Sequence, residues 1–254
     1  MDERQIIACL DIKDGQVVKG VNFINLREVG DPLELGAYYE RDGADELAML
    51  DITATVDGRK TFSDLVSRMR SVVSLPITVG GGIRSADDAA RLFDSGASKV
   101  SVSSQAVAEP ALIDALAERF GSERIVLAVD ARRNGEDSWA VVVRGGREES
   151  GRDCCAWIAE ASDRGAGQIL LTSMDCDGAK GGYDLALYQA ACRATPLPII
   201  ASGGAGTMAH FVDVFTQTGV SAALGASIFH FHDIEIPKLK IFLQQCGIPM
   251  RTRM

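Results

Sequence analysis

The stretch Leu197-Pro-Ile-Ile-Ala-Ser-Gly-Gly-Ala-Gly206 decides the fold, and a similar stretch, Leu75-Pro-Ile-Thr-Val-Gly-Gly-Gly-Ile83, lies about half a chain before it. Each is a short apolar run that begins at a proline and ends in consecutive glycines, which is typical of a buried strand in a parallel sheet. Glycines after such a strand let backbone N–H groups approach an anion, and the next helix N-terminus adds a partial positive charge. Two such loops predict a ligand with two anionic ends.

The composition is that of an ordinary globular protein, with 254 residues, 46% of them hydrophobic and 24% charged. A net charge of −9 argues against non-specific nucleic-acid binding, but not against a small phosphorylated ligand held by backbone amides. No apolar run approaches the length of a transmembrane helix, and residues 1–5 do not resemble a signal peptide. The six cysteines show no C-x-x-C pair, so we expect reduced thiols and a cytoplasmic location.

Strand and helix patterns alternate from the start of the chain to its end. Strand-like runs lie near residues 6–11, 46–51, 76–80, 98–103, 125–130, 168–173, 198–202 and 221–226. Asp31-Pro32 and Ser85-Ala-Asp-Asp88 are helix start signals between these runs. Eight βα units without a linker predict a single domain over residues 1–254, an α/β fold of the (β/α)8 TIM-barrel type. The run 139–144 predicts an extra strand in a hairpin after the fifth strand.

Four pairs of motifs recur in the same order, about 120 positions apart. For example, Ala8-Cys-Leu-Asp11 matches Leu127-Ala-Val-Asp130, and Asp42-Gly-Ala-Asp45 matches Arg164-Gly-Ala-Gly167. A period near half the length is too long for a solenoid repeat. The repeat therefore predicts a barrel built from two half-barrels, at about residues 1–121 and 122–254.

Two aspartates are the candidate catalytic residues. In a (β/α)8 barrel the chemistry takes place at the C-terminal ends of the strands. Asp11 ends the first predicted strand and Asp130 ends the fifth, directly across an eight-stranded barrel. Two carboxylates that face each other across a pocket can divide acid and base roles if their environments separate their pKa values. The alternative is that each aspartate is only a turn or helix cap, but the pair obeys the half-barrel symmetry.

The repeat also predicts two phosphate sites. Gly82 after the third strand would form one of them with Ser103 and Ser104 after the fourth. Gly204 after the seventh strand would form the other with Ala226 and Ser227 after the eighth. The alternative is that these glycines only make tight turns; duplication of both the glycine pair and the terminal serine favours the phosphate sites.

Other polar residues close the second and sixth strands, where they could touch substrate hydroxyls: Asp51, Thr172, Asp175 and Asp177. Lys19, in a predicted loop after the first strand, could hold a ligand, although a loop lysine is usually a solvated charge. No spacing of the three histidines supports a metal site, so we expect no metal and give these side chains structural or surface roles.

Several motifs together resemble a known family over nearly the whole chain: Ile6-Ile-Ala-Cys-Leu-Asp-Ile-Lys-Asp-Gly15, Leu50-Asp-Ile-Thr-Ala54, Gly181-Gly-Tyr-Asp184 and Ser227-Ile-Phe-His230. With the two glycine stretches, they are similar to the cyclase subunit of imidazole glycerol phosphate synthase. The sister isomerase of histidine biosynthesis shares the half-barrel repeat and both aspartates. It lacks the Lys-Gly-x-Asn-Phe form of Lys19–Phe23 and the Asp-Ile-Thr-Ala form seen here, so it is the weaker match.

The resemblance implies a reaction in which ammonia and a bis-phosphorylated formimino ribonucleotide give imidazole glycerol phosphate and aminoimidazole carboxamide ribonucleotide. It implies that Asp11 and Asp130 are general acid and base, that Lys19 and its loop close over the substrate, and that Gly178 and Ser202 add substrate contacts. No cofactor is implied. A glutaminase (glutamine amidotransferase) subunit on the N-terminal barrel face is the implied source of ammonia.

A ring of residues at the strand starts is the implied ammonia gate: Gln5, Glu46, Lys99 and Gln168. The family usually has Arg, Glu, Lys and Glu there, so one positive and one negative charge are absent from this ring. Ser98, Ser103, Cys176 and Ala179 are further departures, in place of a usual Asp, Asn, Arg and Thr. These changes leave open a divergent cyclase that serves another pathway or amidotransferase. A non-catalytic phosphosugar-binding barrel is a weaker alternative, because it has no need for both aspartates.

Overall fold

A computed structural model describes residues 3–21, 24–52 and 56–251. Its strands are β1 (Gln5–Lys13), β2 (Gln16–Val21), β3 (Ile24–Gly30), β4 (Glu46–Asp51), β5 (Ile77–Gly80), β6 (Lys99–Val102), β7 (Ile125–Gly135), β8 (Ser138–Val143), β9 (Glu148–Asp153), β10 (Gln168–Ser173), β11 (Ile199–Ser202) and β12 (Ala222–Gly225). The parallel pairs run β1-β4-β5-β6-β7-β10-β11-β12 and return to β1, which closes the sheet. The predicted (β/α)8 barrel is confirmed, with strands at all eight predicted positions.

Ten helices connect these strands within the described ranges: α1 (Pro32–Arg41), α2 (Val56–Val72), α3 (Ala86–Asp94), α4 (Ser104–Ala108), α5 (Ala111–Phe120), α6 (Cys154–Asp163), α7 (Leu185–Ala194), α8 (Met208–Gln217), α9 (Ser227–His230) and α10 (Ile236–Gln245). Asp31 caps α1 as predicted. Ser85 caps α3, but Asp88 accepts a hydrogen bond from the Arg84 amide instead of completing the predicted capping box. No described helix is long and apolar enough to cross a bilayer.

Two antiparallel insertions extend the barrel on its C-terminal side. β7 runs beyond its predicted end and pairs with β8, which pairs with β9, so the predicted hairpin after the fifth strand is confirmed. β1 likewise pairs with β2, and β2 with β3. The predicted loop around Lys19 is therefore wrong, because that residue lies in β2. A two-residue turn at Asp14 and Gly15, both with positive φ, joins β1 to β2, as expected of an Asp-Gly hairpin signal.

Two layers of apolar side chains form the core. The larger packs between the sheet and the helices and includes Ile6, Ala8, Leu10 and Ile12 of β1. The smaller fills the barrel interior: Ile7, Cys9, Ala48, Val126, Leu170, Ile200, Ala222 and Leu224. Because side chains alternate along a strand, Asp11 follows Ile7 and Cys9 on the interior face. The burial pattern of β1 therefore directs this carboxylate into the barrel mouth.

The half-barrel division at about residues 1–121 and 122–254 stays a prediction. The similar insertions after β1 and β7, four strands apart in the barrel, support it. Four residues of the family motifs, Asn22, Phe23, Thr53 and Ala54, lie outside the described residues.

Candidate active site

A cavity of about 1210 Å³ opens at the C-terminal ends of the barrel strands. All fourteen residues predicted for catalysis and substrate binding line it: Asp11, Lys19, Asp51, Gly82, Ser103, Ser104, Asp130, Thr172, Asp177, Gly178, Ser202, Gly204, Ala226 and Ser227. This is the face on which (β/α)8 barrels carry their chemistry. The sequence prediction thus names residues that the fold brings to one place, while their roles stay predictions.

Asp11 and Asp130 lie on strands at opposite sides of the barrel, because β1 and β7 are four strands apart in either direction. Asp11 is 4% exposed and has two close partners. The Lys19 ammonium donates to its Oδ2 at 3.1 Å, and the Cys9 thiol donates to its Oδ1 at 3.7 Å. Asp11 is thereby held as one half of an ion pair at the cavity floor.

The electrostatic environment separates the two sides of the cavity. Burial and, to a smaller extent, the nearby carboxylates of Asp177 and Asp11 together raise the pKa of Asp130 to about 6. Burial alone would lower the pKa of Lys19, but the charges of Asp11 and Asp177 outweigh it, so that the pKa is raised. The site therefore combines a carboxyl group that holds a proton up to mildly acidic pH with a firmly protonated amine.

The loop after β10 contributes Asp177 and Gly178 to the cavity. Burial raises the pKa of Asp177, and the Lys19 ammonium opposes this effect. Asp175 does not line the cavity; its carboxylate accepts a hydrogen bond from the Arg133 amide at 2.8 Å. Cys176, in the same loop, is half-buried and also does not line the cavity. Of the three residues 175–177, only Asp177 can reach a ligand in this arrangement.

Both glycine loops are shaped by close backbone approaches. Gly81 and Gly82 follow β5 with φ of 103° and 68°, and Gly203 and Gly204 follow β11 with φ of 89° and 108°. A Cβ on Gly81 would lie 2.2 Å from a backbone oxygen of Asp51, and one on Gly204 would lie 2.0 Å from a backbone oxygen. Such contacts exclude any side chain. Gly81 and Gly204 are therefore required by the fold, whether or not these loops also hold phosphate.

The serine positions after β6 and β12 are equivalent in the two halves. Ser103 precedes the five-residue α4 and Ala226 precedes the four-residue α9, and neither side chain caps its helix. Ser104 and Ser227 are the first residues of these helices. β6 pairs with β5 and β12 pairs with β11, so each of these turns follows the strand next to a glycine loop. The cavity is therefore lined by two similar groups, each with a glycine loop and the backbone N–H groups of a helix start.

The cavity wall also contains five cationic residues that were not predicted from the sequence: Lys13, Arg84, Arg144, Arg147 and Lys180. With Lys19 they place six positive side chains around the mouth of a chain whose net charge is −9. Such local concentration attracts anionic ligands. The signal was present in the sequence, since Arg144-Gly-Gly-Arg147 is a turn within the predicted hairpin region.

The four predicted gate residues lie at the opposite, N-terminal end of the barrel. Lys99 donates to Glu46 at 2.8 Å and to the Gln168 amide oxygen at 2.9 Å. Thr78 donates to the second oxygen of Glu46 at 2.5 Å. Gln5 begins the first strand, in register with Ala222. Three of the four residues thus form one hydrogen-bonded cluster, while the interior core lies between it and the cavity.

The histidines have structural partners. His230 is buried, with its Nδ1 2.5 Å from the Tyr39 hydroxyl, and burial lowers its pKa to about 4. His210 accepts hydrogen bonds from the Gly206 and Thr207 amides at the start of α8. In the part of the chain that the structure describes, no group of three His, Cys, Asp or Glu side chains is arranged to hold a metal ion.

Known proteins share this sequence pattern. A family model described as histidine biosynthesis protein matches residues 5–235. The chain belongs to this family. It is 51% identical over 251 residues to the imidazole glycerol phosphate synthase subunit HisF of Streptococcus mutans, covering 99% of this chain and 100% of the relative. The HisF subunit of Bacteroides fragilis is 53% identical over 249 residues, which is 98% of this chain and 99% of the relative.

The HisF subunit of Metallosphaera sedula is 50% identical over 252 residues, which is 99% of this chain and 100% of the relative. These similarities confirm the resemblance found in the sequence. The chain is an enzyme of histidine biosynthesis and corresponds to the cyclase subunit of imidazole glycerol phosphate synthase. The relatives are named as subunits, so each belongs to a larger assembly.

Proposed function

We propose that this chain converts ammonia and the phosphoribulosyl-formimino aminoimidazole carboxamide ribonucleotide into imidazole glycerol phosphate and aminoimidazole carboxamide ribonucleotide. One observation carries the proposal: two opposed aspartates lie between two glycine loops in a single cavity. Because both glycine loops line the same cavity as the two aspartates, a ligand with a phosphate at each end can place its reacting centre between the carboxylates. The identity to HisF subunits over nearly the full chain agrees with this substrate.

Asp130 is the proposed general acid. Its raised pKa, about 6, keeps a proton available closer to neutral pH than an ordinary aspartate does, and a bound anionic substrate will raise it further. It donates to the nitrogen of the departing carboxamide ribonucleotide when the formimino C–N bond breaks. A protonated carboxyl group is needed for that step because the amine leaves as a neutral product.

Asp11 is the proposed general base. Its ion pair with Lys19 requires an ionised carboxylate, which can accept a proton from ammonia as the nitrogen adds to the ketose carbonyl. The carbinolamine formed in this way loses water to give an imine. The imine nitrogen then attacks the formimino carbon, and the imidazole ring closes as the C–N bond to the carboxamide ribonucleotide breaks. Lys19 then remains beside the carboxylate, where it also neutralises substrate charge.

The two loops hold the phosphates in this proposal. Gly82, Ser103 and Ser104 form the first anion site, and Gly204, Ala226 and Ser227 form the second. Asp51, Thr172, Asp177, Gly178 and Ser202 line the wall between them and contact the ribulose hydroxyls. Backbone amides at turns and helix starts are effective phosphate donors even where the whole chain is acidic.

We also propose a glutaminase partner on the N-terminal face. The cluster of Glu46, Lys99 and Gln168 closes that end, and small or apolar side chains fill the axis between it and the cavity. No organic cofactor or metal is needed for the proposed steps. Free thiols on all six cysteines support the expected cytoplasmic location.

The first experiment measures turnover of the bis-phosphorylated substrate with ammonium salt at alkaline pH, without a partner. Wild-type protein should produce both products. Asp11→Asn and Asp130→Asn should lose turnover by at least about 100-fold while substrate still binds. Asp163→Asn, an exposed carboxylate at the end of α6, is the matched control and should stay at the wild-type level. Substrate binding without turnover by the wild type would refute the cyclase assignment.

A second experiment compares ammonium-driven with glutamine-driven turnover in the presence of a glutaminase subunit. We expect the glutamine-driven rate to be the lower one, because Lys99 is held by one carboxylate and one amide. Gln168→Glu supplies a second carboxylate and should restore coupling without changing the ammonium-driven rate. Equal, normal rates with both nitrogen sources would exclude this account. Failure to couple with any histidine-pathway glutaminase would favour a divergent cyclase that serves another amidotransferase.

A further inference from the structure

The turn between β8 and β9, residues 144–147, reaches over the cavity beside the first anion site. It contributes Arg144, Gly145 and Arg147 to the cavity wall. The amide of Arg144 donates to Ser104 Oγ at 3.0 Å. This hydrogen bond joins the turn to α4, the helix that carries the first group of N–H donors.

The turn has a fixed shape and a fixed support. Arg144, Gly145 and Gly146 all have positive φ, at 56°, 68° and 78°. The Arg132 guanidinium donates to the Gly146 oxygen at 2.7 Å. A Cβ on Gly146 would lie 2.5 Å from the Met174 methyl group, so the backbone packs directly on that side chain. The three residues with positive φ, the Arg132 hydrogen bond and the Met174 contact together fix the backbone from which the side chains of Arg144 and Arg147 extend.

The charges around the two anion sites differ. Near the first site, Arg144 pairs with Glu148 at 2.9 Å, but neither Arg84 nor Arg147 has an ion pair among the described residues. Near the second site, Lys180 is already paired with Asp233 at 2.6 Å. Guanidinium groups match phosphate oxygens in geometry as well as charge. The first site therefore has uncommitted cations at its mouth.

We propose that the turn 144–147 is a phosphate clamp, in which Arg147 is a ligand of the phosphate at the first anion site. The inference rests on the proposed function for the identity of the ligand, a sugar phosphate, and adds a selectivity between its two ends. Arg147 binds the phosphate at the end near Gly82 and Ser104. The bond of Arg144 to Ser104 and the packing of Gly146 on Met174 position the turn.

The test measures the affinity of each monophosphate product separately, because each product carries one of the two substrate phosphates. Arg147→Gln should weaken one product by about 10-fold, the size of one lost charge-assisted hydrogen bond, and leave the other within 2-fold. KM for the substrate should rise by a similar factor, with kcat within 2-fold. Arg193→Gln, an exposed arginine near the end of α7 and outside the cavity wall, is the matched control.

A second pair of variants tests the positioning of the turn. Gly146→Ala should displace the turn from Met174 and weaken the same product as Arg147→Gln. Gly151→Ala is its matched control, because its φ of 77° is nearly the same but its Cβ would meet nothing within 4 Å. Circular dichroism and the unfolding midpoint report whether each variant is folded.

If Arg147→Gln weakens the affinity for both products equally, Arg147 acts only by long-range attraction. If it weakens neither, Arg147 is a solvated side chain. Either result would overturn the clamp. Titration with inorganic phosphate separates this result from failure of the proposed function. If neither product binds the wild type, the proposed function is wrong, and the clamp is judged on phosphate alone. Arg147→Gln should then weaken one of two phosphate sites, and two unchanged sites would refute it.

Discussion

Ionised Asp130 should destabilise the native fold. Its pKa rises from 3.8 to about 6 on folding, so the native state binds this proton more tightly than the unfolded chain does. The resulting stabilisation is fully present below pH 3.8 and is lost as the pH rises through 6. A shift of about 2.2 units corresponds to a loss of about 3 kcal/mol at pH 8, and about half of that loss has already occurred at pH 5.

Asp130→Asn removes the ionisable group and should therefore stabilise the protein more at pH 8 than at pH 5. The increment between these pH values, about 1.5 kcal/mol, corresponds to a rise in Tm of about 3–6 °C for a domain of this size. Thermal unfolding of the variant and the wild type at both pH values gives the difference directly. Asp11→Asn is the control, and it should destabilise because it leaves Lys19 without its ion-pair partner.

The difference between variant and wild type is the necessary measurement, because His230 changes stability in the opposite direction. An Asp130→Asn increment that is the same at pH 5 and pH 8 would refute the reasoning. So would a variant that is less stable than the wild type at pH 8 only. Either result would mean that the carboxylate is solvated through the cavity and does not carry the cost of burial.

Three further predictions concern other parts of the chain. When the pH falls from 8 to 5, the wild type should lose about 2 kcal/mol of unfolding free energy at His230, because the native pKa of about 4 lies below the ordinary 6.5. The variant His230→Gln should not show this loss in thermal unfolding at the two pH values. Gly204→Ala should lower the free energy of unfolding, measured by denaturant titration, by about 2 kcal/mol or more, whereas Gly247→Ala, with open space around its Cβ, should lower it by about 1 kcal/mol. Lys99→Met should destabilise by about 3 kcal/mol, because it leaves the buried Glu46 carboxylate without its cation; Glu46→Gln in the same chain should recover much of that loss in chemical unfolding.

The barrel was predictable because each of its strands has a local signal. The apolar runs after Leu75 and Leu197 begin at prolines and end in glycines that the backbone contacts require. The first hairpin was not predicted, although Asp14-Gly15 is a strong turn signal, because the strand after the turn has only two consecutive apolar residues, Val17 and Val18, before Lys19. Pairing partners of such short strands depend on contacts across the chain that no local pattern contains.

The candidate site was predictable to the level of which residues meet, but not of which side chains bind one another. The positions of Asp11 and Asp130 follow from strand order alone. The contact between Lys19 and Asp11 depends on the register of β2, and the approach of Arg144 to Ser104 joins residues 40 positions apart. Both contacts are made by the antiparallel strands inserted after β1 and β7. The lengths and twists of these strands depend on their turns, so the sequence motifs shared by the two half-barrels do not reveal them.

The alternation of side chains along each strand explains why the barrel axis has polar groups at both ends and apolar side chains between them. In β1, Gln5, Ile7, Cys9 and Asp11 share the interior face, while Ile6, Ala8, Leu10 and Ile12 pack against the helices. Inserting one residue before Ile7 would turn Asp11 toward the helices and Ile12 into the cavity, and would remove the carboxylate and expose the apolar face at once. The register that gives the barrel its core therefore also fixes where its acids lie, and a shift in the strand would cost stability and chemistry together.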